Sequence, residues 1–312
     1  MTSTSANPFP REWRAAPGSR VRAGGRQRAA AALPRIPGYK VERRVGQGRM
    51  STAYLAQDLR RGGDVVLKVL NAGHAGDSVR HASFAQEFSI PQLIRNKHVI
   101  RVFDQSIRKE RSYLAMEYLD GGDLGGWIRR GLTAREAVSL LRQAAVALSE
   151  LHQGGFVHCD VKPANLLLRS CRDLVLADFG LACRIGATSL AAPGTVIGTP
   201  CYAAPEQSQG AAAQPAADVY SLGVVFYEML CGSPPFNGPT AMELQCQHLM
   251  APVPRLPREL ALLQPLVDAM MEKDVKRRLP DGAAVLHEID LINAAHAKEN
   301  GGDAATANRC SL

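Results

Sequence analysis

Two features in the first hundred residues of this 312-residue chain have types and spacings that suit phosphate chemistry. The first is a glycine cluster, Gly46-Gln47-Gly48-Arg49-Met50-Ser51, set between two strand-like runs. Glycines there let the backbone approach a phosphate closely and aim its amides at it. A tight hairpin with no ligand would carry the same residues. The second is Lys68, which ends the apolar run Val65-Val66-Leu67. A cation in such a strand is costly unless it is paired. Glu87, in Phe84-Ala85-Gln86-Glu87 on the next helix-like segment, is an available mate. A Lys–Glu pair can hold an ammonium against the α- and β-phosphates of a nucleotide; an ordinary surface pair is the alternative. Three further clusters follow in order: His158-Cys159-Asp160-Val161-Lys162-Pro163-Ala164-Asn165, Asp178-Phe179-Gly180, and Ala204-Pro205-Glu206.

The order and spacing of these motifs resemble the serine/threonine protein kinase family over about residues 38–292. Gly198–Gln207 resembles the bacterial branch of that family. The resemblance implies ATP as phosphoryl donor, Mg²⁺ (or Mn²⁺) as metal, and Ser/Thr hydroxyls of proteins as acceptors, the chain itself included. It gives Lys68 and Glu87 the phosphate-positioning pair, Asp160 the acceptor hydroxyl, and Lys162 the charge of the moving phosphoryl group. Asn165 and Asp178 become the hard-oxygen metal ligands. His158 and Phe179 pack beneath these loops. Asp218 anchors the backbone of the 158–165 segment, and Glu206 pairs with Arg278. Val45, Gly46, Gly48, Ser51, Ala53, Val66 and Lys68 line the nucleotide. Met116 is the gatekeeper, Glu117 and Leu119 offer backbone groups to adenine, Asp123 reaches the ribose and Leu167 forms the floor.

These residues need a sheet and a set of helices to hold them. Tyr39–Val45, Thr52–Gln57 and Asp64–Leu70 read as short strands separated by glycines. Ser83–Arg95 reads as a helix, and Val99–Gln105 and Arg111–Tyr118 return to strand character. Thr133 and Glu136 form a capping-box pattern ahead of an apolar stripe at 137, 138, 141, 144, 145, 148 and 151. Ala217–Cys231 is a strong helix stopped by Gly232, and Leu260–Glu272 and Ala283–Ala295 complete the set. The fold class expected is α+β in two lobes, a β-rich N-lobe over 37–119 with one helix and a mainly helical C-lobe over 120–295, with ATP in the cleft between them. Residues 1–36 read as a basic disordered tail and 296–312 as a flexible C-terminal tail.

Composition excludes several other classes. The net charge of +8 would suit a nucleic acid, but residues 1–37 hold seven Arg against the single acid Glu12. That places +6 in the tail and leaves +2 for the rest. Nucleic acid is therefore not expected as a partner, and the tail is the expected place for a regulatory one. No run approaches the ~20 apolar residues of a membrane span, and the first 30 residues lack the apolar core of a secretory signal. Seven scattered Cys without a CxxC pair suit free thiols in a reducing compartment, so a cytoplasmic protein is expected.

Three positions depart from the family pattern. Ser51 stands where a third glycine is usual and can still offer its amide. Ala53 and Val66 exchange the usual valine and alanine, which conserves volume over the adenine face. Cys159 replaces the arginine that commonly precedes the catalytic aspartate and pairs with a loop phosphate. With no adjacent cation evident from sequence, that thiol reads as inert, a redox-sensitive thiol beside the catalytic carboxylate being the alternative. Activity is therefore expected not to need phosphorylation of the 178–206 loop. A Thr188→Ala, Ser189→Ala, Thr195→Ala variant should keep wild-type turnover in a phosphotransfer assay; loss of turnover in the folded variant contradicts this.

Overall fold

A computed structural model of the chain describes residues 33–48, 50–71, 78–108, 112–170, 172–188 and 199–307. Most of the 1–36 tail, Cys171, Ser189, Thr195, Gly198 and Cys310 lie outside the described residues. In chain order the elements are β1 (Tyr39–Gln47), β2 (Ser51–Asp58), β3 (Asp64–Leu70), α1 (Ser78–Leu93), β4 (Val102–Ser106), β5 (Tyr113–Glu117), β6 (Gly122–Asp123), α2 (Leu124–Ile128), α3 (Ala134–Gln153), β7 (Phe156–Val157), β8 (Leu166–Leu168), β9 (Leu174–Leu176), β10 (Cys183–Arg184), α4 (Pro205–Ser208), α5 (Pro215–Cys231), α6 (Ala241–Met250), α7 (Gln264–Met270) and α8 (Gly282–Ala307). The fold class is α+β, with strands concentrated in the first part of the chain and helices in the second.

The chain divides into two compact units. One takes in the residues up to Trp127 together with Pro163–Leu181; the other takes in Ile128–Lys162 and the residues from Ala182 onward. Asn165, Leu167 and Asp178, which the sequence assigns to the second lobe, therefore belong to the first unit. The reason is backbone pairing. β8 joins β6 and β9 in a three-stranded sheet, and the Ile100 amide donates to the Leu176 carbonyl at 2.9 Å.

Five antiparallel strands in the order β1-β2-β3-β5-β4 form the main sheet of the first unit. β3 is central, and every residue after Asp64 is buried. That fits an apolar run rather than an alternating one. α1 begins at Ser78, five residues before the helix expected at Ser83, and ends at Leu93, two residues past Pro91.

The second unit is built around α5. Thirteen of its residues are buried, including Tyr220 and Phe226 with no exposed surface, so it reads as apolar on all sides. α3 packs beside it through the predicted stripe, and its capping box forms: the Glu136 amide donates to Thr133 Oγ1 at 3.2 Å and the Thr133 amide to Glu136 Oε2 at 2.9 Å. α8 starts against α3 at Gly282, where an added Cβ would lie 2.5 Å from the Ser149 amide nitrogen. Only glycine allows that approach. The single helix expected over 260–272 is instead a 3-10 turn, Arg258–Leu263, followed by α7. Pro265 explains the break, because it lacks an amide and favours the first turn of a new helix. α8 continues to Ala307, past the expected end at Ala295, along a segment that holds six alanines from Ala294 to Ala307.

Candidate active site

In the first unit the site begins with Lys68. Its ammonium lies 2.5 Å from Glu87 Oε1 and 3.0 Å from Asp178 Oδ1. Three elements meet there: β3 supplies the lysine, α1 the glutamate and the segment after β9 the aspartate. Lys68 and Glu87 are almost wholly buried, at 7% and 4% exposure. Burial works against the Lys68 charge, but the Asp178 and Glu87 carboxylates outweigh it and hold the ammonium above its ordinary range. For Glu87, burial dominates the pull of Lys68, and its carboxyl is pushed from 4.5 up to about 7.

Two further contacts keep Asp178 in place. Ser83 Oγ donates to the Gly180 carbonyl at 2.6 Å, tying α1 to the turn after Asp178. The Ala177 amide donates to the Asn165 carbonyl at 2.9 Å, so the two expected metal ligands are held by one backbone bond. Asp178 has φ +64°, a left-handed conformation uncommon for a residue with a Cβ. Such strain persists where surrounding contacts over-determine it.

The expected nucleotide-lining residues fall into the same unit. Val45, Ala53, Leu55 and Val66 form one buried cluster, with Met116 and Tyr118 packed on it. The exchanged pair Ala53 and Val66 thus shares one packed surface. Gly46 pairs across from Ala53, and the Gly48 amide closes the hairpin on the Ser51 carbonyl at 2.8 Å. Leu119 is buried, and Leu167 on β8 sits across from Asp123 on β6. Asp123 Oδ1 accepts from the Gly126 amide at 2.6 Å, which caps α2. The Glu117 carboxylate is held by Arg101 Nη2 at 3.1 Å and Arg169 Nη2 at 3.0 Å. Its backbone amide donates to the Arg101 carbonyl. Neither arginine was singled out from sequence, since they lie 16 and 52 residues from Glu117.

The second unit holds the other group. Lys162 Nζ lies 2.8 Å from Asp160 Oδ2 and donates to Thr199 Oγ1 at 3.0 Å. Thr199 Oγ1 in turn donates to Asp160 Oδ1 at 3.3 Å. The backbone under this triangle is anchored by Asp218, at 1% exposure. Its carboxylate accepts from the His158 amide at 2.6 Å and the Cys159 amide at 2.9 Å. The Asp160 amide donates to His158 Nδ1 at 3.3 Å. Sequence reasoning missed His152, which supports Asp218 from α3. The Gly282 amide donates to His152 Nδ1 at 3.2 Å, so the ring proton sits on Nε2 and faces Asp218 Oδ2 at 3.1 Å. Gln207 Nε2, also missed, donates to the Cys159 carbonyl at 3.1 Å. Arg278 makes two bonds to Glu206, at 2.6 and 3.0 Å, and neither residue is left with an unmatched charge.

The donor set suits phosphate and a hard cation. Asn165 and Asp178 offer amide and carboxylate oxygens, the ligand type Mg²⁺ prefers. The protein kinase domain model matches residues 39–288, most of the chain. The chain belongs to the protein kinase family. It is 36% identical over 260 residues to serine/threonine-protein kinase PknL of Mycobacterium tuberculosis, covering 81% of this chain and 65% of that protein. It is 32% identical over 264 residues to PknA of the same species, covering 82% and 61%. With PrkC of Bacillus subtilis it shares 31% over 227 residues, covering 72% and 35%. The chain thus spans less than two thirds of the length of these relatives. No helix among the described residues is long and apolar enough to cross a membrane.

The Glu87 shift has a measurable consequence for the kinase domain. A carboxyl whose folded pKa is raised stabilises the fold below its ordinary pKa of 4.5, and that contribution is lost as pH rises through about 7. The urea midpoint of the wild type should therefore fall between about pH 5 and about pH 8 relative to that of Glu87→Gln, which stays neutral throughout. Parallel curves for the two proteins would contradict the assignment.

Proposed function

We propose that this kinase domain transfers the γ-phosphoryl group of ATP to serine and threonine hydroxyls of protein substrates, itself included, in signalling. The observation that carries the reading is Lys68 Nζ within 3.0 Å of both Glu87 and Asp178. Those residues lie 19 and 110 positions away in sequence, so an ordinary surface pair does not account for them. The printed names of the relatives, serine/threonine-protein kinases, support the same class.

Phosphoryl transfer needs positioning and charge compensation more than covalent help. On the donor side, Glu87 aims the Lys68 ammonium, which then meets the α- and β-phosphates. The cluster of Val45, Ala53, Val66 and Met116 would cover the adenine and keep water from it. Leu119 and the Glu117 backbone would orient the base, Asp123 the ribose, and Gly46, Gly48 and Ser51 the phosphates. Asn165 and Asp178 would hold the divalent ion, which would supply charge neutralisation for the phosphates. On the acceptor side, Asp160 accepts the hydroxyl proton. Lys162, already 2.8 Å from Asp160, compensates charge on the moving group. Thr199 keeps both side chains in register. The scattered cysteine pattern supports a cytoplasmic setting for this reaction.

The test is transfer from γ-labelled ATP with Mg²⁺, to the chain itself and to a generic basic protein. Wild type should label both, and Asp160→Asn should reduce labelling by at least about a hundredfold. Equal labelling by the two proteins would remove the enzymatic reading.

A further inference from the structure

The thiol at the family-breaking position is not isolated. Cys159 Sγ lies 3.5 Å from Cys183 Sγ, although the two residues are 24 positions apart. The approach is built by the fold. β10 pairs antiparallel with β7, which sets Cys183 across from Val157, two residues before Cys159. Asp218 and Gln207 hold the Cys159 backbone on both sides, at φ +66°. Both residues are partly exposed, which leaves a small oxidant a route to them. Both carry the chemistry that redox-sensing pairs in a reducing compartment share, a reactive thiol beside a resolving one.

We propose that Cys159 and Cys183 form a reversible disulfide on exposure to a hydroperoxide, and that this bond switches the catalytic segment off. The roles of the two sulfurs follow from their surroundings. The contact with Cys183, burial and the nearby Asp218 and Asp160 carboxylates hold the Cys159 thiol above the ordinary range. The contact with Cys159 holds the Cys183 thiol below the ordinary range, although burial opposes it. Cys183 is thus the thiolate that attacks the peroxide. An S–O bond forms as the O–O bond breaks, and the leaving oxygen takes a proton to give water or an alcohol. Cys159 then attacks the Cys183 sulfur. The S–S bond forms, the S–O bond breaks, and hydroxide leaves with the Cys159 proton as a second water. Two thiols are oxidised by two electrons and one peroxide is reduced.

Closing the sulfurs from 3.5 Å to the ~2.05 Å of a disulfide shortens their separation by more than an ångström, and the loop that carries Cys159 shares that movement. Asp160 is the next residue, and displacement of a catalytic group by ~1 Å can cost ~10²-fold in rate. This loss of turnover rests on the role proposed above for Asp160; the cross-link does not.

The experiment treats the full chain with hydrogen peroxide, alkylates the remaining thiols and maps the peptides without reduction. The expected result is a linked pair containing residues 159 and 183 that dithiothreitol separates. Phosphotransfer should fall at least about tenfold on oxidation and return on reduction. Cys183→Ser should match the reduced wild type in turnover, form no link and lose its sensitivity to peroxide. Thiols that remain alkylatable, sulfinic or sulfonic acids without a link, or links to other cysteines would overturn the proposal. A 159–183 link with unchanged turnover would overturn the switch. A link in a protein that has no turnover even when reduced would support the thiol pair and count against the kinase reading.

Discussion

The carboxylate of Asp218 is the constraint on which the acceptor side of this molecule depends. It sits at the start of α5, 1% exposed, and accepts three hydrogen bonds, from the amides of His158 and Cys159 and from His152 Nε2. A buried carboxylate is tolerable only when its lone pairs are met, and here they are met by the backbone that leads into Asp160. Cys159 is held in a left-handed conformation that costs roughly 1–3 kcal/mol for a residue with a Cβ. The two amide bonds, each to a charged acceptor, offset that strain. From this anchored turn Asp160, Lys162 and Thr199 take their mutual geometry, and Cys159 is placed beside Cys183.

On the donor side the governing feature is one ammonium between two carboxylates. Lys68 answers the buried charge of Glu87, yet it also reaches Asp178, so neither acid has it alone. Burial leaves Glu87 near neutrality, and a protein that kept this arrangement for stability alone would do better with apolar residues of the same volume. Groups poised in this way are typical of sites that bind charge. The bonds from Ser83 to Gly180 and from Ala177 to Asn165 then tie α1 to the segment that carries Asp178, and that segment to Asn165.

Much of this was readable in the sequence, because kinase motifs are local and ordered. The lysine in an apolar strand, the capping box at Thr133 and the Gly232 stop of α5 all follow from spacing and residue type. What could not be read was the identity of distant partners. His152 lies 66 residues from Asp218 and 130 from Gly282, and no local pattern marks it as their bridge. Arg169 and Arg101 look like ordinary surface cations until β8 and β4 bring them to Glu117. The same holds for Cys183, whose meaning comes from a two-residue strand pairing. The break at Pro265 was legible in principle, but the apolar run around it outweighed the proline in the reading of 260–272.

The anchoring role of Asp218 is tested most directly by the steady-state kinetics of Asp218→Asn, with circular dichroism to establish folding. An amide keeps one acceptor oxygen and turns a donor toward a backbone amide, so one of the two anchoring bonds becomes a repulsion. The account predicts that kcat falls by at least about a hundredfold while KM for ATP stays within about twofold, because the donor-side groups are untouched. A folded variant with wild-type kcat would contradict it.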